Sequence, residues 1–325
     1  MHQKLQKIAI NSFYIFFSII IGLIFSEAVL RIKHSVNPNY DIEMWRYAKE
    51  LKTKSSNKFI GHTHLKNKSA KLQKVSIDIN KIGQRDIDYD NSDLKKYDRR
   101  FLIIGSSITL GWGVEYEKTF SHKLNEYSIK NNKNWLFING GVGNYNTERY
   151  VNNYLYNWKD LDFTDIIIQF FVNDTENLRE IREPNFFVEH SHLGVIIWKL
   201  INSYNSKFKA EKIEDYYREL YDDDNNGFKI AFQSLKKIQN HCKSNNINCI
   251  IVNTPDIHQL EPYKLIFIND KMRKVSENIK LPYLDLLNSF KKYNAKDLWN
   301  KYGDPHPNNL GHEEMAKTIY KFLNQ

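Results

Sequence analysis

Two short segments of this 325-residue chain carry residue types that could do covalent chemistry: Gly105-Ser-Ser-Ile-Thr-Leu-Gly111, directly after an apolar run, and Asp304-Pro-His-Pro-Asn-Asn-Leu-Gly-His312 near the C-terminus. A serine hydroxyl is a poor nucleophile until a base takes its proton, and that base needs a third group to orient it. Ser107 would be the nucleophile and His306 the base. Asp304, two residues from His306 on one short loop, can reach the imidazole and set its tautomer. Either segment alone is weak, because small residues after a strand are ordinary turn chemistry.

The other chemically capable residues read differently. Asp285 closes the strand-like run Leu281–Leu286 and suits a helix entry, as a rival acid to Asp304. His62-Thr-His64 and His190-Ser-His192 have the spacing of a metal-binding pair but lack a carboxylate or cysteine partner, and are expected to be surface histidines. His312 is expected to cap or pack a C-terminal helix beginning near Glu313, and Trp299 to line the pocket or pack beside it. Asp222-Asp-Asp-Asn-Asn-Gly227 begins like a calcium loop, but its twelfth position is Gln233, so a solvated turn is expected. No metal site and no cofactor are expected. Cys242 and Cys249 lack further ligands for zinc; a disulfide and a pair of buried thiols are equally compatible with their spacing.

These residues need a scaffold. Arg100–Ile104 is a continuous apolar run suited to a buried parallel strand, and Leu136–Ile138, Ile166–Ile168, Ile250–Val252 and Tyr283-Leu284 repeat the pattern. Helical stretches over about 117–130, 147–158, 228–246 and 264–278 separate them. Strands alternating with helices predict an α/β chain with a central parallel sheet covered on both faces. Val75–Asn80 alternates and predicts a further strand within an N-terminal extension, residues 34–98, ahead of a catalytic domain at 99–325. An insertion at about 175–227 fits no βα unit. Its apolar stretch Leu193–Ile201 could form a lid or touch a membrane, with packing against the domain core the favoured reading.

Taken together, the segments resemble the SGNH (GDSL-like) hydrolase superfamily. Gly105-Ser106-Ser107-Ile108-Thr109-Leu110-Gly111 matches its first block with Ser106 in place of Asp, followed by Trp112-Gly113-Val114. Asn139-Gly-Gly-Val-Gly-Asn-Tyr-Asn-Thr147 resembles the second block, Phe171-Val-Asn173-Asp174 the third with Phe for Gly, and residues 304–312 the last. The blocks fall in the family's order over residues 101–325. The resemblance implies a three-layer α/β/α, flavodoxin-like fold and a serine esterase in which Ser107 attacks, His306 shuttles the proton and Asp304 orients it. The oxyanion hole would come from the backbone N–H of Ser107, the second-block backbone and the Asn173 side chain. The family's oxyanion glycine falls on Asn144, with Gly143 one residue earlier, and the residues leave open which of the two donates.

Residues 8–26 contain no charge and the apolar character resumes at Ala28-Val29-Leu30, long enough for a membrane helix. No Ala-x-Ala pattern follows, so residues 1–33 are read as an uncleaved single-pass anchor through residues 8–30, with the catalytic domain outside the cytoplasm, extracytoplasmic or periplasmic. The net charge of +9 comes mostly from scattered lysines without a nucleic-acid motif, so an anionic membrane or acidic glycan is expected and nucleic acid is not. The expected substrate is an acyl ester, such as an O-acetyl group on a cell-surface glycan or an ester of a lipid. Two alternatives share these residues: an O-acyltransferase passing the acyl group to a glycan, and a non-catalytic, membrane-tethered binding protein.

Overall fold

The computed structural model describes residues 2–178, 186–205, 213–301 and 303–325, so parts of the expected insertion lie outside the described residues. In chain order the elements begin with α1 (His2–Val36), α2 (Tyr40–Leu51), β1 (Lys52–Lys54), β2 (His62–His64), β3 (Lys68–Leu72), β4 (Val75–Ile79) and α3 (Asn91–Leu94). Then come β5 (Arg99–Gly105), α4 (Ser107–Leu110), α5 (Phe120–Lys130), β6 (Trp135–Gly141), α6 (Thr147–Asn153) and β7 (Asp165–Phe171). After α7 (Phe186–His190), α8 (His192–Asn205), α9 (Ile213–Leu220) and α10 (Asn226–Ser244), the chain continues through β8 (Asn248–Thr254), α11 (Ile266–Ile279) and β9 (Tyr283–Asp285). It ends with α12 (Leu287–Phe290), β10 (Trp299–Lys301), β11 (Asp304–Pro307) and α13 (Asn309–Leu323). The chain divides into two compact units, residues 1–46 with 182–209, and residues 47–181 with 210–325.

The larger unit is built on a five-stranded sheet of order β6-β5-β7-β8-β9, parallel throughout. Its strands are nearly pure Ile, Leu, Val and Phe because both faces are covered: Leu102, Ile103, Ile138, Ile167 and Ile251 are fully buried. The chain moves from β5 outward to β6 and then back across β5 to β7, β8 and β9. Right-handed crossovers therefore send α5 to one face and α6, α10 and α11 to the other. The packing agrees: α5 lies against α13, while α10 lies against α6 and α11. This is the three-layer α/β/α, flavodoxin-like order expected from the sequence, and its switch point lies between β5 and β7.

Helix boundaries follow local chemistry. Thr119, Asn225 and Asn308 cap α5, α10 and α13 by accepting N–H groups of the first turn, and Lys280 closes α11 in the left-handed region. Asn308 caps α13, which begins at Asn309, four residues ahead of the expected start, so His312 sits inside the helix. Cys242 and Cys249 form a disulfide that joins the end of α10 to the start of β8. Residues 47–98 cluster with the sheet unit and contribute two antiparallel pairs, β1 with β2 and β3 with β4.

In the smaller unit, α1 is long and apolar enough to cross a membrane, and its apolar side chains are exposed. The core packing expected for Leu193–Ile201 is not what forms. Val195 joins Ile42 and Val188 in a small separate cluster, and Ile197, Trp198, Leu200 and Ile201 remain exposed. The cause is a different partner: α8 lies against α1, and Glu27 of α1 accepts from the His192 and Leu193 N–H groups and the Ser191 hydroxyl, capping α8.

The sheet's middle strand is the place where packing matters most. Ile167→Ala on β7, flanked by β5 and β8 and fully buried, is expected to cost about 2–5 kcal/mol, read as a lowered melting temperature of the detergent-solubilised chain.

Candidate active site

Ser107 opens α4 at the C-terminal end of β5, and Asn173 lies in the turn that follows β7. The two strands flank the switch point, where opposed crossovers leave a crevice at the carboxyl ends. The turn after β5 is tightly braced. Gly111 ends α4 with φ 77°, a left-handed conformation suited to glycine. The Thr109 hydroxyl donates to Gln169 at 2.9 Å, and Asn139 Nδ2 donates to the Thr109 carbonyl at 2.7 Å. Asn139 Oδ1 in turn accepts from the Gly141 N–H, so polar residues of the first two blocks tie the Ser107 turn to β6.

His306 reaches the same point from the far end of the chain. It lies on β11, which pairs with β10 through Trp299 opposite Pro307 and Lys301 opposite Asp304. Asn308 fixes this hairpin from both sides: its oxygen caps α13, and its Nδ2 donates to the Asp297 and Trp299 carbonyls. Trp299 also donates its indole N–H to the Ile257 carbonyl. The result is a hydrogen-bonded chain: Ser107 Oγ lies 2.8 Å from His306 Nε2, and His306 Nδ1 lies 2.6 Å from Asp304 Oδ1. Asp304 has no exposed side-chain surface, while His306 retains 16%. Burial opposes ionisation of Asp304, but hydrogen bonding and charge from His306 outweigh it and hold the carboxyl below the usual carboxylate range.

Among the oxyanion candidates, Gly143 donates its N–H to the Tyr47 hydroxyl at 2.8 Å. Its Cβ position is also occupied, since a side chain there would lie 2.6 Å from the Tyr47 ring. The next residue, Asn144, is exposed with φ 64°, and its N–H has no partner among the described residues. Ser107, as first residue of α4, has an N–H outside the intrahelical pattern. Asn173 is exposed. Its neighbour Asp174 is buried, accepts from Phe171 N–H, and receives both the N–H and the hydroxyl of Thr147 on its carbonyl. Burial pushes the Asp174 carboxyl well above its usual range, and its hydrogen bonds make it an anchor beneath the turn.

Of the other chemically capable residues, some sit as expected and some do not. His62 and His64 are buried, with 4% and 3% exposure, because β2 faces inward against the second-block loop. His190 is exposed and His192 half-buried, its ring 4.8 Å from that of His34. His312 is buried inside α13, stacks on Phe120 and accepts the Phe120 N–H; burial pushes its imidazole down to about 3. Asp285 binds Asn269 and caps the entry to α12 through the Leu287 N–H. Asn225, at the end of the acidic turn, caps α10.

Sequence reasoning missed the contribution of residues 47–98. Arg85 is buried and donates to the Leu110, Gly111, Ser76 and Val114 carbonyls, bracing the turn after Ser107. Asp86 accepts the Asn139 N–H at 2.7 Å and the Tyr116 hydroxyl, and burial pushes it up to about 6. Tyr47, Lys52 and His62 surround Gly143. Their types carry no periodic or motif signal; charged residues in a lysine-rich segment read as solvated.

No family model matches the sequence, and no curated protein matches it. Solved structures with a similar arrangement include a two-domain esterase active on acetylated mannans, 14% identical with a TM-score of 0.45 over 72% of this chain and 51% of that one. The chain therefore spans about half the length of that esterase. Others are the acetylxylan esterase Axe2 from Geobacillus stearothermophilus, 13% identical, TM-score 0.46, covering 70% of this chain and 95% of that one, and the psychrotrophic esterase EstA from Pseudoalteromonas sp., 15% identical, TM-score 0.44, covering 70% and 100%. At such low identity, function has to be argued from the residues themselves.

Proposed function

We propose that this chain is a membrane-tethered serine esterase that hydrolyses a small acyl ester, such as an O-acetyl group of a cell-surface glycan or an ester of a lipid, with the sheet unit outside the cytoplasm. The observation that carries the reading is the continuous hydrogen-bonded chain Ser107 Oγ–His306–Asp304, at 2.8 and 2.6 Å, on the carboxyl edge of a parallel sheet. Ser107 Oγ attacks the ester carbonyl carbon while His306 Nε2 takes its proton. The carbonyl oxygen becomes an oxyanion, held by the N–H groups of Ser107 and Asn144 and by Asn173 Nδ2. Collapse expels the alcohol with the proton from His306, leaving an acyl-Ser107 ester. A water molecule, deprotonated by His306, then attacks that ester, releasing the acid and regenerating the serine. Asp304, ionised and buried, stabilises the imidazolium at each proton transfer. Donors aimed at charge that forms only in the transition state are worth about 3–4 kcal/mol each.

The tether is α1, with exposed apolar residues through its length and Lys4, Lys7 and Arg31 at its margins. The exposed apolar side chains of α8, packed on α1, extend the membrane-facing surface of that unit.

Hydrolysis of p-nitrophenyl acetate by the purified chain is expected to vanish in Ser107→Ala and His306→Ala, and a fluorophosphonate probe to label the wild type but not Ser107→Ala. Labelling of Ser107→Ala at the wild-type rate would sink the assignment. Added sugar acceptors that give acylated product faster than free acid would move it to acyl transfer. Because Asp304 is held ionised below the ordinary carboxylate range, its contribution to stability is fully present above the unfolded-state value of about 3.9 and is lost as pH falls through the lower folded value. Asp304→Asn is therefore expected to flatten the acid limb of the melting-temperature profile and to lower kcat by roughly 10³–10⁴-fold. A reporter fused after Gln325 is expected to be active only if it functions outside the cytoplasm; signal from a cytoplasm-only reporter would reverse the topology.

A further inference from the structure

The loop that carries Asn144 is gripped on both sides of the Gly143–Asn144 peptide. Gly143 N–H donates to Tyr47 Oη at 2.8 Å. The Gly143 carbonyl accepts from Lys52 Nζ at 3.2 Å and lies 3.1 Å from His62 Nε2. The Asn144 carbonyl lies 3.4 Å from Arg149 Nη1. The N–H of Asn144 has no partner among the described residues.

The peptide joining Gly143 to Asn144 explains why this matters. It contains the Gly143 carbonyl and the Asn144 N–H, which point in opposite directions across a planar trans unit. Fixing the carbonyl between Lys52 and His62 fixes the N–H on the opposite, exposed side. Donors on a carbonyl also polarise its amide, making the N–H of the same peptide a stronger donor. The histidine tautomers are consistent with this. Arg149 Nη1 lies 3.5 Å from His62 Nδ1, which assigns the ring hydrogen to Nε2, facing the Gly143 oxygen; Lys52 Nζ lies 3.3 Å from that nitrogen and donates to the same oxygen. His64 Nδ1 lies 3.0 Å from the Gly83 carbonyl, leaving Nε2 to accept the Tyr47 hydroxyl at 2.7 Å, so that Tyr47 Oη is free to accept from Gly143. Burial keeps both imidazoles neutral, His62 well below its ordinary value and His64 down at about 4. All of these residues lie in the sheet unit.

We infer that Tyr47, Lys52 and His62, from the segment preceding the sheet, are positioning residues that aim and polarise the Asn144 N–H as an oxyanion donor. The inference rests on the esterase reading of Ser107. It assigns the segment ahead of β5 a part in transition-state stabilisation, although none of its residues touches the substrate. It also explains a non-glycine at the oxyanion position: with both flanking carbonyls and the preceding N–H committed, the left-handed turn at Asn144 is held from outside.

The test is steady-state kinetics of the full chain in detergent with p-nitrophenyl acetate. Tyr47→Phe keeps the ring but removes the acceptor, Lys52→Met removes one donor, and His62→Ala the other. Each is expected to lower kcat by roughly 10–100-fold with KM within about two-fold, since the donor acts on charge absent from the ground state. His62→Gln, whose amide N–H can reach the same oxygen, is expected to recover most of the loss. Ser107→Ala is run beside them. If it retains turnover, the esterase reading fails and takes this inference with it. If it is inert while the cradle variants, melting within a few degrees of wild type, show unchanged kcat, the inference alone is overturned. A loss expressed in KM, or a His62→Gln as slow as His62→Ala, would also overturn it.

Discussion

Asp304 carries a carboxylate with none of its side chain exposed, and the His306 imidazole is what makes that tolerable. An unpaired charge there would cost several kcal/mol, and the carboxyl would take up a proton instead. Paired with Nδ1–H it stays ionised, and in staying ionised it dictates which nitrogen of His306 faces Ser107. The rest of the C-terminal region serves this contact. The β10–β11 hairpin holds Asp304 and His306 on one short strand, Asn308 locks that hairpin to α13, and His312 locks α13 to α5 through the Phe120 N–H. A residue almost two hundred positions from Ser107 is thereby delivered to within hydrogen-bonding distance.

How much of this was legible in the sequence depended on whether a residue's role leaves a pattern. Strands buried on both faces must be continuously apolar, so Phe101–Ile104 and Ile166–Ile168 announce themselves, and the alternation with helices implies a parallel sheet whose functional edge is the carboxyl one. Ser107, Asp304 and His306 were legible as residue types at turn positions, and the structure brings them together. That the Gly143 N–H is taken while the Asn144 N–H is not was illegible, because it turns on Tyr47, nearly a hundred residues away. His62 and His64 were misread for the same reason: a three-residue strand gives no periodicity, and burial of its histidines comes from long-range partners. The segment Leu193–Ile201 was misplaced because apolarity says that a helix needs a partner without saying which, and α1 offered one.

The sheet unit puts polar residues of 47–98 to an unusual use. Small α/β units commonly close their loops with backbone contacts, whereas here Arg85 supplies four carbonyls with donors and Asp86 terminates an edge of β6. Each buried charge costs desolvation, and for Arg85 that cost is only partly offset, since its Nε has no hydrogen-bond partner among the described residues. The arrangement thus makes the loops after β5 and β6 rigid at a cost in stability, which is the balance expected where geometry matters more than free energy of folding.

That balance also bears on two of the three positions at which the blocks depart from the pattern they resemble. A glycine at the oxyanion position is useful because it adopts a left-handed turn without strain; Asn144 adopts the same turn with φ 64°, a conformation asparagine tolerates better than most residues. What asparagine lacks in freedom is compensated by restraint, since the Gly143 N–H and the Gly143 and Asn144 carbonyls are already bound. Gly143, its N–H bound to Tyr47, provides the space that admits the Tyr47 ring. The Phe171 position tells a similar story. Its N–H is taken by the buried Asp174 carboxyl, whose own backbone carbonyl holds Thr147 at the start of α6. In both loops the substitution removes conformational freedom that glycine would have given, and in both the lost freedom is replaced by a buried polar contact that fixes one conformation.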